Sequence, residues 1–318
     1  MNYILLVIGL VLLTWGAELL TKGCVGMAAR FRVPEFIVGL TVMAVGTSMP
    51  ELTVSTMSAL KGSTDMAIGN VTGSNLFNTL IVLGVCALIR PMVFTKENVR
   101  RDIPLCIAAS VLLLVMALYL GSSAGLSRME GVILFVMYIA FVLYSIRSAK
   151  KDSPDAEAGT DDGQQSEATI GWGKILFFIV VGLAGLIYGG NLCLDSATAI
   201  ARAWGVSEAI IAITIVAAGT SLPELASSVS AVANGKLSLA LGNVIGSNVA
   251  NILLILGVSG SIKPLTMGGI TPLDVWMVAG SAVLLLLSAW AIGQRRITRL
   301  EGAIYLAVYV AYVYLLMK

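Results

Sequence analysis

The sequence predicts an all-α integral membrane protein with ten transmembrane helices in two inverted five-helix repeats. The first observation behind this fold class is composition: 58% of the 318 residues are apolar and only 12% are charged. Soluble domains carry about 25% charged residues, and a soluble chain of this size could not remove so much apolar surface from water. The second observation is an internal sequence repeat, which is typical of one class of membrane folds.

Ten apolar runs are each long enough, at about 20 residues, to cross a hydrocarbon core of ~30 Å. They lie at 2–21, 36–60, 65–89, 102–121, 129–146, 174–194, 208–233, 238–262, 273–293 and 300–317. The first run has no basic stretch before it and contains Glu18, so we interpret it as a retained helix and not as a cleaved signal.

The runs divide the chain into a first five-helix repeat at 1–147, an acidic linker at 148–171 and a second repeat at 172–318. The linker holds six of the 18 acidic residues and no aromatic residue. A short polar segment of this kind cannot bury enough surface to fold, so we interpret it as a disordered connector. A regulatory role for its carboxylates is the alternative.

The two halves share their most polar intramembrane motifs. The segment AVGTSMPEL at 44–52 recurs as AAGTSLPEL at 217–225, and GNVTGSN at 69–75 recurs as GNVIGSN at 242–248, both at an offset of 173. Chance does not produce such a pattern. Because each half has an odd number of helices, the second half must enter the membrane from the opposite side, so the repeats are inverted.

The positive charges give an orientation. When lysines and arginines are assigned to loops, 15 of the 20 fall on one side of the membrane. By the positive-inside rule that side is cytoplasmic, which places both termini outside and the linker in the cytoplasm. The location that this predicts is the inner (plasma) membrane.

Several function classes are excluded by residue type. Histidine is absent, which removes His-ligated metal centres and nucleophiles activated by histidine. The cysteines Cys24, Cys86, Cys106 and Cys193 lack a CxxC spacing and are interpreted as buried apolar residues. A net charge of +2 does not suggest nucleic acid. We therefore expect no cofactor, no nucleic-acid partner and no enzymatic activity.

Two glutamates, Glu51 and Glu224, fall inside long apolar runs that contain no lysine or arginine. A charged side chain at bilayer depth costs at least ~2.5–3.5 kcal/mol unless it is paired or hydrated, so such a residue is interpreted as functional. A cation from outside the protein is the economical source of the missing positive charge.

A proline precedes each glutamate. Pro50 and Pro223 lack an N–H, so the carbonyls of Gly46 and Gly219 lose their helix partners and each helix bends or opens. Within a membrane such carbonyls must be satisfied by polar groups, water or an ion. The hydroxyls one turn before the glutamates belong to Thr47, Ser48, Thr220 and Ser221. Carboxylates, hydroxyls and carbonyls are the ligands that hard cations such as Ca²⁺ select, and Na⁺ could use the same oxygens.

The third and eighth runs supply further oxygen ligands. Ser74 and Asn78 are four positions apart, as are Ser247 and Asn251, so each pair shares one helical face. The neighbouring glycines are interpreted as packing positions that let helices approach closely.

At these residues the sequence resembles the cation/calcium exchanger superfamily, most closely its prokaryotic sodium/calcium exchanger branch. The resemblance covers essentially the whole chain. It implies that Ca²⁺ and Na⁺ are transported and that the first and sixth helices slide to alternate access. It also implies that the ion ligands are the carbonyls of Ala44 and Ala217 and the side chains of Thr47, Ser48, Glu51, Ser74, Asn78, Thr220, Ser221, Glu224, Ser247 and Asn251.

The leading hypothesis is a monomeric antiporter that uses the sodium gradient to expel calcium. Some relatives carry an aspartate where this chain has Asn251, and the absence of that acid favours potassium independence. Calcium/proton exchange is the runner-up, since a membrane glutamate can trade a cation for a proton. A calcium channel and an intramembrane enzyme are the alternatives from other classes; broken helices argue against the first and the lack of a nucleophile with its base against the second.

Overall fold

The computed structural model describes residues 2–119, 125–151, 170–206, 217–292 and 295–316. We number its helices and its four two-residue strands in chain order. The helices are α1 (Asn2–Phe31), α2 (Glu35–Thr47), α3 (Met49–Lys61), α4 (Thr64–Ile89), α5 (Asn98–Leu118), α6 (Arg128–Lys151), α7 (Trp172–Ala203), α8 (Ala217–Gly219), α9 (Leu222–Ala233), α10 (Leu237–Ile262), α11 (Pro272–Trp290) and α12 (Arg299–Leu316). The strands are β1 (Met92–Val93), β2 (Gly125–Leu126), β3 (Leu265–Thr266) and β4 (Arg296–Ile297).

The all-α membrane fold predicted from composition is confirmed. Within the described ranges, eight helices are long and apolar enough to cross a membrane, and α2 with α3 forms a ninth span that is broken at Ser48. These nine correspond to nine of the ten predicted runs. The tenth run, 208–233, begins outside the described residues, and α8 and α9 are its described part. Most of the predicted linker also lies outside them.

Two helices extend well beyond their apolar runs. α1 continues to Phe31 and α7 to Ala203, whereas the predicted runs end at 21 and 194. Backbone hydrogen bonds carry a helix through polar residues such as Lys22 just as well as through apolar ones. Hydropathy therefore marks the part of a helix that crosses lipid and not the point where the helix ends.

Burial separates core helices from peripheral ones. In the most apolar stretch of each helix, 94% of the residues are buried in α10 and 72% in α4, whereas only 28% are buried in α6 and 22% in α12. The exposed side chains of the peripheral helices are large and apolar, among them Val136 and Val310. Such surfaces are suited to contact with lipid.

One compact unit is built from Met1–Thr47 and Ala140–Gly246. In it, α1 packs antiparallel against α7 at backbone distance. A Cβ on Gly16 would lie 2.7 Å from the carbonyl oxygen of Gly182, and one on Gly189 would lie 2.9 Å from that of Gly9. Adding the repeat offset of 173 to Gly9 and Gly16 gives Gly182 and Gly189, so the two contacts are equivalent under the repeat. The helix pair therefore has an internal pseudo-two-fold symmetry.

The other compact unit is built from Ser48–Ile139 and Ser247–Lys318. Two antiparallel ladders join its segments: β1 pairs with β4, placing Met92 opposite Ile297, and β2 pairs with β3, placing Leu126 opposite Leu265. The repeat offset of 173 relates β1 to β3, and the offset of 171 relates β2 to β4, so the two ladders are equivalent under the repeat. Both compact units thus combine segments from each sequence half, and the division at 1–147 and 172–318 stays a prediction about the repeats.

The contact between α1 and α7 makes a prediction about glycine. In Gly182→Ala the new Cβ would lie 2.6 Å from the Leu20 nitrogen and 2.8 Å from the Gly16 oxygen, so we expect the free energy of unfolding to fall by about 1–3 kcal/mol. Thermal unfolding of the purified protein in detergent measures the loss. Gly173→Ala is the matched control in the same helix, because its Cβ meets no atom within 4 Å among the described residues. Equal melting temperatures for the two variants would contradict the proposed packing.

Candidate functional site

In the second compact unit the helix break lies directly before Glu51. Ser48 leaves helical geometry at φ −83° and ψ 10°. α3 begins at the next residue, and Pro50 is its second residue. The N–H of Leu52 donates to the Ser48 carbonyl at 3.0 Å. Glu51 lies in the first turn of α3 with no exposed surface. Glu51 therefore lies at the N-terminal end of α3, the end at which the helix dipole is positive.

The first compact unit contains the same arrangement. Ser221 has φ −92° and ψ 7°, and Pro223 is the second residue of α9. Glu224 lies in the first turn of α9 and is fully buried. The N–H of Leu225 donates to the Ser221 carbonyl at 3.1 Å. In both halves the described helix is interrupted before the glutamate, so each glutamate lies in the first turn of a helix. Glu51 lies inside the broken span of α2 and α3, and Glu224 lies inside the predicted run 208–233.

Polar groups of α4 contact Glu51 and its helix. Ser74 Oγ donates to Glu51 Oε1 at 3.4 Å. Asn70 Nδ2 donates to the Glu51 carbonyl at 3.3 Å and to Ser55 Oγ at 3.0 Å. The structure therefore brings together Glu51 and Ser74, two of the residues predicted to bind ions, and adds Asn70 as a brace between α3 and α4.

The same compact unit contains buried polar side-chain atoms that have no hydrogen-bond partner among the described residues. Among the described residues, no partner lies within hydrogen-bond distance of Asn78 Oδ1, Asn78 Nδ2, Ser247 Oγ or Asn251 Oδ1. All three side chains are at most 1% exposed. A buried polar atom without a partner costs about 1–3 kcal/mol, so such atoms indicate a ligand or water. All three residues belong to the predicted ligand set. Outside that set, the described part of the same unit also has buried polar atoms without a partner, among them atoms of Thr56, Thr72, Asn248 and Ser259.

The helices that carry these amides are locally widened. α4 contains π-helical turns at Phe77–Val82, and α10 contains them at Asn251–Ile255. The repeat offset maps Asn78 onto Asn251, so both asparagines lie in repeat-related π-helical segments. π-helical turns are rare and occur frequently at functional sites. The sequence pattern did not predict them, because the hydrophobic period hardly changes over one widened turn.

An amide network orients Asn251. Its Nδ2 donates to Asn75 Oδ1 at 3.0 Å, Asn75 Nδ2 donates to the Asn248 carbonyl at 3.2 Å, and Asn248 Nδ2 donates to Thr79 Oγ1 at 2.8 Å. With its amide nitrogen occupied, Asn251 presents its Oδ1 as an acceptor. Sequence reasoning missed Asn75 and Asn248 as positioning residues, although their duplication at bilayer depth was a usable signal.

In the first compact unit Asn243 plays the bracing role. Its Nδ2 donates to Ser228 Oγ at 2.9 Å and to Ser227 Oγ at 3.1 Å, and its Oδ1 accepts a hydrogen bond from Thr47 Oγ1 at 3.3 Å. One buried amide thus joins the end of α2 to the helix that begins next to Glu224. Asn243 is the repeat partner of Asn70, which has the same bond to Ser55 that Asn243 has to Ser228.

The remaining predicted ligands lie at the helix breaks. Ala44 is buried, and its carbonyl accepts a 3.4 Å hydrogen bond from Thr47 Oγ1. Ser48 and Ser221 are buried, Thr220 is half-buried, and Ala217 begins α8. The predicted ligands are divided equally between the compact units. Ala44, Thr47, Ala217, Thr220, Ser221 and Glu224 lie in the first, and Ser48, Glu51, Ser74, Asn78, Ser247 and Asn251 lie in the second.

The donor set differs from that of a transition-metal centre. Within the described part of the chain, no group of three or more histidine, cysteine, aspartate or glutamate side chains could hold a metal ion. Each compact unit instead offers one glutamate with no exposed surface, Glu224 in the first and Glu51 in the second, together with hydroxyl, amide and carbonyl oxygens. Hard cations prefer such oxygens, and few charges per site suit an ion that must also leave.

An all-α membrane fold with internal repeats and broken helices that carry buried carboxylates defines a secondary transporter. The chain belongs to the sodium/calcium exchanger protein family, whose sequence model matches residues 1–147 and 174–318. It is a cation antiporter of that family and not an enzyme. The matched segments nearly coincide with the two predicted repeats, 1–147 and 172–318.

Individual relatives are similar over nearly their whole length. CaxA of Alkalimonas amylolytica is 36% identical over 98% of both chains, and the sodium/calcium exchanger MaX1 of Methanosarcina acetivorans is 32% identical over 99% of this chain and 98% of its own. A solved structure of the sodium-calcium exchanger NCX_Mj superposes with a TM-score of 0.83 at 29% identity, covering 98% of this chain and 97% of that one.

The amide brace at Asn243 makes a prediction about stability. Asn243→Ala removes the buried partner of three hydroxyls, so we expect the free energy of unfolding to fall by about 1–3 kcal/mol. Thermal unfolding in detergent measures the change. Asn234→Ala is the control of the same residue type in the same unit, since its Nδ2 bonds only to an exposed carbonyl, that of Ser230. An Asn243 variant as stable as the control would refute the bracing role.

Proposed function

We propose that this antiporter exchanges sodium for calcium and that both ions compete for the oxygen atoms at the helix breaks. The observation that carries the proposal is the pair of fully buried glutamates, each in the first turn of a broken membrane helix. The relatives MaX1 and NCX_Mj, both named sodium/calcium exchangers, support the same ion pair.

We propose that the ion ligands are the predicted set. Glu51 and Glu224 would each supply one negative charge. The orphaned acceptors Asn78, Ser247 and Asn251 support the assignment, because a cation would satisfy them at no cost in further charge. The other proposed ligands are the carbonyls of Ala44 and Ala217 and the hydroxyls of Thr47, Ser48, Ser74, Thr220 and Ser221.

Coupling between the two fluxes follows from shared occupancy. If the protein changes its access only when Na⁺ or Ca²⁺ neutralises the glutamates, then each ion can leave only by exchange for the other. We propose that α1 and α7 move as one pair during this change. Their glycine-lined contact supports this, because the two backbones touch directly.

The orientation and location are also proposals. The distribution of lysine and arginine supports external termini, a cytoplasmic linker and the inner (plasma) membrane. A relative from Escherichia coli, 34% identical over 85% of this chain and 81% of its own, is named inner membrane protein YrbG. We propose that the monomer is the transporting species, since each chain contains both repeats.

The central test is ion flux in liposomes. Vesicles loaded with sodium and diluted into sodium-free buffer should take up ⁴⁵Ca²⁺, because outward sodium movement drives calcium inward. Uptake that follows a pH gradient and ignores sodium would replace the proposal with calcium/proton exchange. Single-channel currents without dependence on a counter-ion would indicate a channel.

Charge removal tests the ligands. Glu51→Gln and Glu224→Gln keep the side-chain shape but lose the negative charge, and truncating one partner of a buried charge pair costs about 2–5 kcal/mol, or ~30-fold and more. We therefore expect sodium-driven uptake to fall by at least that factor in each variant. Glu18→Gln is the control, because Glu18 is half-exposed and pairs with Lys22 at 2.7 Å. Normal transport by either membrane variant would refute the assignment.

Potassium dependence is a separate prediction. The uncharged Asn251 leaves no third carboxylate in the proposed ligand set, so replacing external potassium by choline should leave the sodium-driven calcium flux unchanged within about twofold. The same assay measures it at fixed membrane potential. A flux that requires potassium would overturn the proposed independence while leaving calcium transport itself intact.

A further inference from the structure

A groove in the second compact unit lies apart from the helix breaks. It encloses about 410 Å³ between the start of α5 and the end of α11. Its lining is mostly apolar, with three basic residues. The lining residues are Lys96, Val99, Arg100, Pro104, Leu286, Trp290 and Arg295.

The basic residues of the groove are available to a ligand. Within the described residues none of Lys96, Arg100 and Arg295 forms a salt bridge, whereas the adjacent Arg101 is held by Asp102 at 2.9 Å. All three are exposed. One carboxylate, Glu97, stands nearby, and its pKa is lowered by hydrogen bonds from its own backbone and from the Thr95 hydroxyl, so it is ionised. Three cations against one anion leave a net positive rim.

The groove combines this positive rim with an apolar wall at the end of two membrane spans. Trp290, 74% exposed, ends the span of α11, where tryptophan typically marks the interface between lipid and water. A soluble anion would use only the charges, whereas a lipid would use both surfaces. We propose that the groove binds an anionic phospholipid, with its phosphate at Lys96, Arg100 and Arg295 and an acyl chain along Leu286 and Trp290.

The internal repeat provides a comparison within the molecule. α5 and α11 begin with the same reciprocal cap: Thr95 exchanges hydrogen bonds with Asn98, and Thr271 with Asp274. Lys96 and Arg100 lie one and five residues after the capping residue Thr95. The residues one and five positions after Thr271 in the second repeat are Pro272 and Trp276, and neither is basic.

The third cation shows the same asymmetry. Arg295 precedes β4, and the residue that precedes the repeat-related β2 is Ala124. All three basic residues are thus confined to one of two pseudo-symmetric positions. Packing of the fold does not require them there, because the other repeat forms the same elements without them. Because the repeats are inverted, the two positions lie at opposite membrane faces, and the positive-inside rule already predicts basic residues at only one of them. The asymmetry therefore places the groove at the basic face, which is the face where anionic lipids concentrate.

The test uses the full-length protein in neutral detergent and phosphatidylglycerol with brominated acyl chains, which quench tryptophan fluorescence on contact. The component of quenching that disappears in Trp290→Phe reports on the groove. We expect half-saturation at a concentration at least tenfold lower than for brominated phosphatidylcholine. Equal concentrations for the two lipids would overturn the proposal.

Charge variants identify the headgroup contacts. Arg100→Gln with Arg295→Gln should raise the half-saturating concentration about 30-fold, at ~1 kcal/mol for each basic side chain. The matched control is Arg147→Gln with Arg32→Gln, since both are exposed and Arg32 shares the positive φ of Arg295, 54° against 61°. An equal shift in the two double variants would show general surface charge and refute the site.

Two further measurements complete the test. If the double variant does not elute as folded protein, Lys96→Gln alone should still raise the half-saturating concentration about fivefold, and no change would count against the proposal. Glycerol 3-phosphate separates the two anion sources. We expect it to compete only at concentrations far above those of the lipid, and competition at equal concentration would show a site for free phosphate in place of a phospholipid site.

Discussion

The cost of placing a carboxylate where water is absent is the constraint on which this structure depends. Glu51 and Glu224 have no exposed surface, and neither apolar run supplies a lysine or an arginine. Each glutamate is instead placed in the first turn of a helix that begins inside a span, where the helix dipole favours negative charge. The break also frees backbone carbonyls. One device, a proline two residues after a non-helical serine, thus creates the new helix N-terminus and the additional ligands together.

The rest of each compact unit stabilises these breaks. Asn70 and Asn243 are repeat partners that tie the broken helices to their neighbours. Asn70 is half-buried and Asn243 is buried, and each amide donates two hydrogen bonds of 2.9–3.3 Å. The glycines of α1 and α7 and the two short ladders obey the same repeat. Duplication therefore reaches from sequence motifs to individual contacts, because a packing solution found for one half serves the other when the two halves pair across a pseudo-two-fold axis.

Departures from the repeat are as informative as the repeat itself. Asn251 has its amide nitrogen bound by Asn75, whereas both polar atoms of Asn78 lack a partner among the described residues. The basic groove at Lys96 and Arg100 has no basic counterpart near Thr271. Symmetric packing and asymmetric function can coexist because polar side chains at a few positions change ligand chemistry without altering the backbone that carries them.

The sequence by itself determined that the chain is a membrane protein, where its nine described spans lie, that its motifs repeat and which two glutamates lie in apolar runs. Hydropathy, proline and uncompensated charge are local properties, so they can be read without the fold. Only the tertiary structure decided which segments pack together, since contacts between distant segments leave no local pattern. It showed compact units that mix the two halves, the π-helical turns at Phe77–Val82 and Asn251–Ile255, and the bracing asparagines. The groove at Trp290 emerged only there too, because its walls come from helices far apart in the chain.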